Sequence, residues 1–316
     1  MSHSPKQAVI IASLTAFILA VIKFTGGIMT GSLTVISSSI DSLLDFFVSI
    51  INFFALQKSM QGDDDTYHYG YGKIEGLAAL IEGLIIIISG FLISFFAIRK
   101  FISKDFIIDA DTSIIFMVVS IIFTVGIVGY LNRVARETNN LIIKSDAFHY
   151  KTDLFTNVGI IITIIIIKFT GWYVIDVVVS LVISAYILYG ASQIIRSAYE
   201  MLMDKALCAS DILKIIDIIK KTSSDVQSYH FLKTRCSGKD IFIEFHLVFD
   251  TKITLLEAHT VSDTIECRLK GIFPNSFVTI HLDPYDDSNI EACDIRRFLP
   301  NGKEVLSDIQ GEHSGK

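Results

Sequence analysis

Asp41 and Asp45 stand four residues apart inside the hydrophobic stretch SSSIDSLLDFFVSIINFF, and His149 and Asp153 stand four apart inside DAFHYKTDLFTNVGIIITIIII. On a helix this spacing puts each pair on one face, roughly 6 Å apart along the axis. Carboxylates are costly in a bilayer and persist there mainly to do a job. Brought together, the two pairs supply three carboxylates and one imidazole. That set suits tetrahedral zinc and serves other first-row divalent ions. Without a metal, so many carboxylates in a low dielectric hold protons instead. An arriving metal expels them, because its ligands bind deprotonated. One site loaded in turn with metal or with protons is a physical route to metal/proton exchange. A single intramembrane acid is as readily structural, for instance a partner for Lys23. Two such pairs in separate segments, offering only metal-ligand types, favour the metal reading.

Such residues need spanning elements to hold them. The chain has 316 residues, 51% of them hydrophobic, with mean hydropathy +0.55. Soluble domains rarely read this way. The apolar residues come in long runs before residue 206 and alternate with charge after it. A span takes about 20 mostly apolar residues. Six segments qualify: 7–29, 33–57, 75–98, 112–132, 143–169 and 174–201. The first contains Val9 to Val21 and lacks a convincing cleavage site, so it is read as a retained helix rather than a signal peptide. Asp176, close to the start of the sixth, is read as interfacial. Glu82 in the third stays open between a structural role and the wall of a water-filled cavity. Six spans put both termini on one side, and a soluble C-terminal part points to the cytoplasm. The basic residues do not decide orientation: Arg133, Arg136 and Lys144 lie between spans four and five, but Arg99, Lys100 and Lys104 lie between three and four. A net charge of −6 without a basic stripe argues against nucleic acid. Cys208, Cys236, Cys267 and Cys293 form no CxxC and read as free thiols in a reducing compartment.

After residue 206 the periodicity changes. DILKIIDIIKKT reads as a helix and SYHFLKTR as a strand. DIFIEFHLVFD alternates, with Ile241, Ile243, Phe245, Leu247 and Phe249 on one face and Phe242, Glu244, His246 and Val248 on the other. TLLEAHTVSDTIECRLKGIF reads as an amphipathic helix and SFVTIHLDP as a last strand. The predicted fold is a polytopic α-helical membrane protein: a six-helix transmembrane domain over 1–206, then a small α+β domain (αββαβ) over 207–285 with helices on one sheet face. Residues 286–316 are polar and read as a disordered or partner-binding tail. His230, His246, His259, His281 and Asp283 all fall in the α+β part, and His281 and Asp283, two apart on a strand, share a face.

These motifs resemble the cation diffusion facilitator family over residues 8–285. TGSLTVISSSIDSLLDFFVS is similar to the family's second helix and DAFHYKTDLFTNVG to its fifth. YGYGKIEGLAALI is similar to the opening of the third helix, LMDKAL to the junction between membrane and cytoplasmic domains, and TIHLDP to the last strand. The resemblance implies a homodimeric divalent-cation/proton antiporter in a cell or inner membrane, with both termini cytoplasmic, no cofactor and no enzymatic activity. It implies the transport ligands Asp41, Asp45, His149 and Asp153. A histidine at position 149 goes with zinc, cadmium or ferrous iron, with zinc the first choice and iron the rival. It places His230, His246, His259, His281 and Asp283 at a two-metal regulatory site in a metallochaperone-like cytoplasmic domain. It sets Lys73 and Asp204 at a charge pair linking the third and sixth helices. The chain departs from the family in the loop between spans two and three. Asp64 falls at the aspartate of a further metal site, but Tyr67 and Tyr71 stand where that site has histidines and His68 is one residue out of register. A neutral tyrosine is a poor zinc ligand, which puts that site in doubt. A membrane-anchored metal sensor without transport is the rival reading. An intramembrane metalloenzyme would want an HExxH helix, which the chain lacks.

Overall fold

The computed structural model describes residues 5–30, 33–103, 113–172 and 174–285, without the side chains of residues 27, 30, 33–38, 41 and 113–117. The side chain of Asp41, Lys104, Cys293 and the 286–316 tail therefore lie outside the described residues. Six helices come first: α1 (Pro5–Thr30), α2 (Leu33–Ser59), α3 (Lys73–Ser103), α4 (Ser113–Thr138), α5 (Leu141–Thr170) and α6 (Val174–Leu202). Among the described residues, five of them, all but α2, contain stretches long and apolar enough to cross a membrane. α2 has 27 residues, about 40 Å of helix, which is also spanning length. Its apolar run is diluted by Ser37, Ser38, Ser39, Asp41, Ser42 and Asp45, the segment that carries the first acidic pair.

The chain divides into two compact units, 1–200 and 201–316. In the first, Ala8 and Ala12 of α1, Leu56 of α2, Leu131 of α4 and Ile142 and Ile143 of α5 share one apolar core. α3 packs on α6 through Ile86, Ile187 and Ala191. Gly190 of α6 admits the ring of Phe148, which a Cβ there would meet at 2.0 Å. Small residues of this kind let membrane helices approach closely. The start of α5 is capped twice. Asn140 accepts from Ile143 N at 3.1 Å. The buried carboxylate of Glu75, from the first turn of α3, accepts from the backbone N–H of Leu141 and from Asn140 Nδ2. An acid at a helix N-terminus satisfies otherwise orphaned N–H groups and complements the helix dipole.

The second unit runs α7 (Ala209–Thr222), β1 (Val226–Ser237), β2 (Asp240–Phe249), α8 (Leu255–Ile272) and β3 (Ser276–Pro284), in the predicted order. The sheet order is β1-β2-β3, with β1 antiparallel and β3 parallel to β2. A parallel pair needs a crossover, and α8 supplies it. Thr254 and Glu257 form a capping box at its start. Ile243, Phe245, Leu247 and Phe249 are buried against Ile215, Ile219, Ile265 and Leu269 of the helices. That burial is worth about 1.5–3 kcal/mol per large side chain. The opposite face carries Phe242, Glu244, His246 and Val248, as the alternation predicts.

Candidate metal centres

In the helical unit, α2 and α5 run antiparallel and bring the two ligand pairs together. His149 Nε2 lies 3.0 Å from Asp45 Oδ1 and 3.9 Å from Asp153 Oδ2. One donor atom from each of the three lies within 4.8 Å of the others. A single ion can therefore be shared among them after small side-chain adjustments, at the bond lengths of about 2.0–2.2 Å that zinc makes with N and O. Asp41 is on α2 one turn before Asp45, and its side chain is outside the described residues. The three groups border a cavity of ≈ 690 Å³ that also reaches Lys23, Lys100 and Asp176. Lys23 donates to Ser42 Oγ at 2.9 Å. Asp176, expected to be interfacial, accepts from Lys100 Nζ at 2.7 Å. Glu82 is 2% exposed and accepts from Asn52 and Ser145, so it is buried among α2 and α5 rather than facing that cavity.

In the α+β unit, His230, His246 and His281 are in register across the three strands. Asp283, two residues beyond His281, ties the row together. Its Oδ2 lies 2.8 Å from His246 Nδ1 and 3.2 Å from His230 Nε2, and its Oδ1 lies 3.0 Å from His281 Nε2. Donors of His230, His246 and Asp283 lie within 4.8 Å of one another. A bulge in β1 between His230 and Lys233 coincides with a left-handed Phe231, φ 53°. Bulges re-aim side chains beside sites, and here the ring of Phe231 lies 5.2 Å from that of His246. A left-handed aromatic residue costs about 1–3 kcal/mol. No pattern in the sequence announces this bulge. His259, expected in the same group, stands exposed on α8 and pairs with Asp263 at 3.2 Å. The structure does not bring it to the three-histidine row within one chain.

In the loop between α2 and α3, Asp64 accepts from Tyr71 Oη at 2.6 Å and from the backbone N–H groups of Tyr67 and Thr66. Tyr71 packs on Tyr67, ring centroids 4.7 Å apart, and Lys58 Nζ lies over the Tyr71 ring, 3.6 Å from its centre. The tyrosine hydroxyl holds the Asp64 carboxyl below its ordinary range, and Asp64 pushes the Tyr71 phenol up to about 12. The acid is thus satisfied by the residues that replace the expected histidines. Asp204 accepts from Arg235 at 3.3 Å within its own unit. Cys208, Cys236 and Cys267 are free thiols.

Residues 9–203 match the cation efflux transmembrane domain, and residues 209–285 match the cytoplasmic domain of cation efflux proteins. The chain belongs to the cation diffusion facilitator family. Its six-helix unit and its small mixed sheet are the two parts of that family's fold. The chain is similar to the cation-efflux pump FieF of Shewanella oneidensis, 33% identical over 270 residues, which is 85% of this chain and 90% of the relative. It is similar to FieF of Shigella boydii, 34% identical over 278 residues, 88% of this chain and 92% of the relative. The same figures hold for FieF of Escherichia coli. A solved structure of CzrB covers 25% of this chain and 96% of its own at 33% identity, TM-score 0.24. The protein is therefore a multi-pass cation efflux transporter with a cytoplasmic C-terminal domain.

Proposed function

We propose that this transporter moves divalent metal out of the cytoplasm in exchange for protons, with zinc as its principal cargo. The observation that carries the reading is the convergence of Asp45, His149 and Asp153 on a cavity between membrane-length helices. Asp41 would complete the set as a fourth ligand. Mixed carboxylate and imidazole donors suit zinc and ferrous iron better than a hard ion such as magnesium. Metal and protons compete for the same groups, which couples the two fluxes. With both termini cytoplasmic, the loops joining α2 to α3 and α4 to α5 face the cytoplasm and the Lys100–Asp176 end of the cavity faces outward. The protein works as a homodimer in the inner or plasma membrane. Metal at His230, His246, His281 and Asp283, with His259, tightens the dimer and biases the transport cycle.

The test is flux in proteoliposomes with Zn²⁺, Fe²⁺, Cd²⁺ and Mn²⁺ under an imposed pH gradient. Asp45→Ala and His149→Ala should each abolish proton-coupled flux while the protein still elutes as a dimer. Normal flux in both variants overturns the reading. Metal binding without flux in the unsubstituted protein favours a sensor instead.

A further inference from the structure

A lysine lines the cavity beside the transport ligands. Lys23 of α1 is 9% exposed and borders the same ≈ 690 Å³ space as Asp45, His149 and Asp153. An ionisable residue inside a spanning helix is costly and marks function by default. Here the residue is a cation in the path of a cation, so its charge opposes the cargo.

Three contacts fix its level. Tyr150, next to His149 in the chain, donates to Ala12 O of α1 at 3.2 Å and lies 3.1 Å from Ser49 Oγ of α2. Phe17 of α1 meets Phe46 of α2, ring centroids 5.2 Å apart. Lys23 Nζ donates to Ser42 Oγ of α2 at 2.9 Å. Residue numbers rise along α1 as they fall along α2, so the two helices lie antiparallel in one register. Ser42 is three residues before Asp45, which puts both on one face of α2. Lys23 therefore stands about 4.5 Å beyond Asp45 along the axis. α3 passes Asn52 of α2 at Glu82 and runs on to Lys100, so the Lys100–Asp176 pair lies on that same side of the ligands. In the orientation proposed above, this is the exit side.

Carboxylates and an imidazole hold a divalent ion well, and a site that holds well empties slowly. Passage needs binding strong enough to load and weak enough to leave. A nearby ammonium repels a doubly charged ion with twice the energy with which it repels a proton. We propose that Lys23 sets the release of metal: its ammonium lowers the affinity of the Asp45, His149 and Asp153 site for a divalent ion and so raises turnover. Ser42 is the positioning residue that holds the ammonium at its level. The proposal rests on the transport reading above. A lysine that served only to brace its surroundings would, on removal, leave a distorted and weaker site. A lysine that serves release leaves a tighter one, so the sign of the change separates the two roles.

Equilibrium binding of Zn²⁺ to the full-length protein tests it, by competition with a chromophoric chelator at about pH 8, where protons compete least. His246→Ala with Asp283→Asn disables the cytoplasmic row in every sample. Lys23→Gln and Lys23→Met should each bind Zn²⁺ about 10-fold more tightly. In proteoliposomes both should lower the half-saturating Zn²⁺ concentration and the maximal flux together. Lys23→Arg keeps the charge and should restore affinity and flux to within about 3-fold of the unsubstituted protein. Unchanged or weaker binding in the two neutral variants overturns the proposal, as does Lys23→Arg behaving like them. Loss of a folded, monodisperse species in both neutral variants assigns Lys23 to packing and overturns it too. If no Zn²⁺ binds before Lys23 is changed, the transport site itself fails and the proposal falls with it. Tight Zn²⁺ binding that is indifferent to Lys23 removes this proposal alone.

Discussion

At Asp283 one carboxylate holds three imidazoles, and that arrangement makes it the residue on which the cytoplasmic row depends. Its distances to His230, His246 and His281 are all 3.2 Å or less. Asp283→Asn keeps the shape and removes the charge. It should lower zinc affinity of this site about 10- to 100-fold, measured by competition with a chromophoric chelator. His259→Ala measured in parallel reports whether the α8 histidine joins from a partner copy; equal loss in both variants would show that it does. Asp64 and Tyr71 give a pH test. Their bond is made by an ionised carboxyl and a neutral phenol. It is kept across neutral pH, lost as pH falls below the carboxyl's ordinary 3.8, and lost as pH rises through about 12. The ultraviolet difference titration between the unsubstituted protein and Tyr71→Phe isolates this phenol. Asp64→Asn should bring its midpoint back toward 10.0. An unmoved midpoint means the hydroxyl is not held by Asp64.

Two helix contacts decide how the ligands are presented. Glu75 reaches from α3 to the first N–H of α5, so it sets where the helix carrying His149 and Asp153 begins. Glu75→Ala should destabilise the helical unit by about 1–2 kcal/mol, within the range of lost caps, seen as a lower midpoint in detergent unfolding. At Gly190, α6 lets Phe148 lie against its backbone, next to His149 in the chain. An aromatic ring cannot yield at 2.0 Å without moving α5 or α6. Gly190→Ala should cost about 1–3 kcal/mol and reduce the maximal flux more than it raises the half-saturating metal concentration. A change in stability with flux kinetics intact would separate packing from ligand placement. The β1 bulge works similarly in the sheet: without the extra residue, the register beyond His230 would shift by one and turn side chains to the other face.

For the whole molecule, a metal held by the proposed cytoplasmic row would bind the folded chain and not the unfolded one. Zinc at 100 times its dissociation constant should therefore stabilise the α+β unit by about 2.7 kcal/mol, raising its melting temperature in the full-length protein. A chelator should reverse the rise, and Asp283→Asn should abolish it. An equal rise in that variant would assign the effect to another site. If the row also couples protomers, the same titration should shift the monomer–dimer balance in sedimentation.

The order of elements was legible because it depends on local periodicity. Runs of apolar residues of membrane length, and strict alternation through Ile243, Phe245 and Leu247, determine helix and strand before any packing is known. The i, i+4 spacing of Asp41 with Asp45 and of His149 with Asp153 likewise made one face of each helix chemical. Tertiary structure alone decided what these faces meet. It set His149 against Asp45 and Asp153, and it buried Glu82 beside Asn52 and Ser145 from two other helices. It also aligned three histidines from three strands on one aspartate, helped by a left-handed Phe231 that no composition signals. A face is a property of a few neighbouring residues, whereas a ligand set is a property of distances between segments remote in the chain.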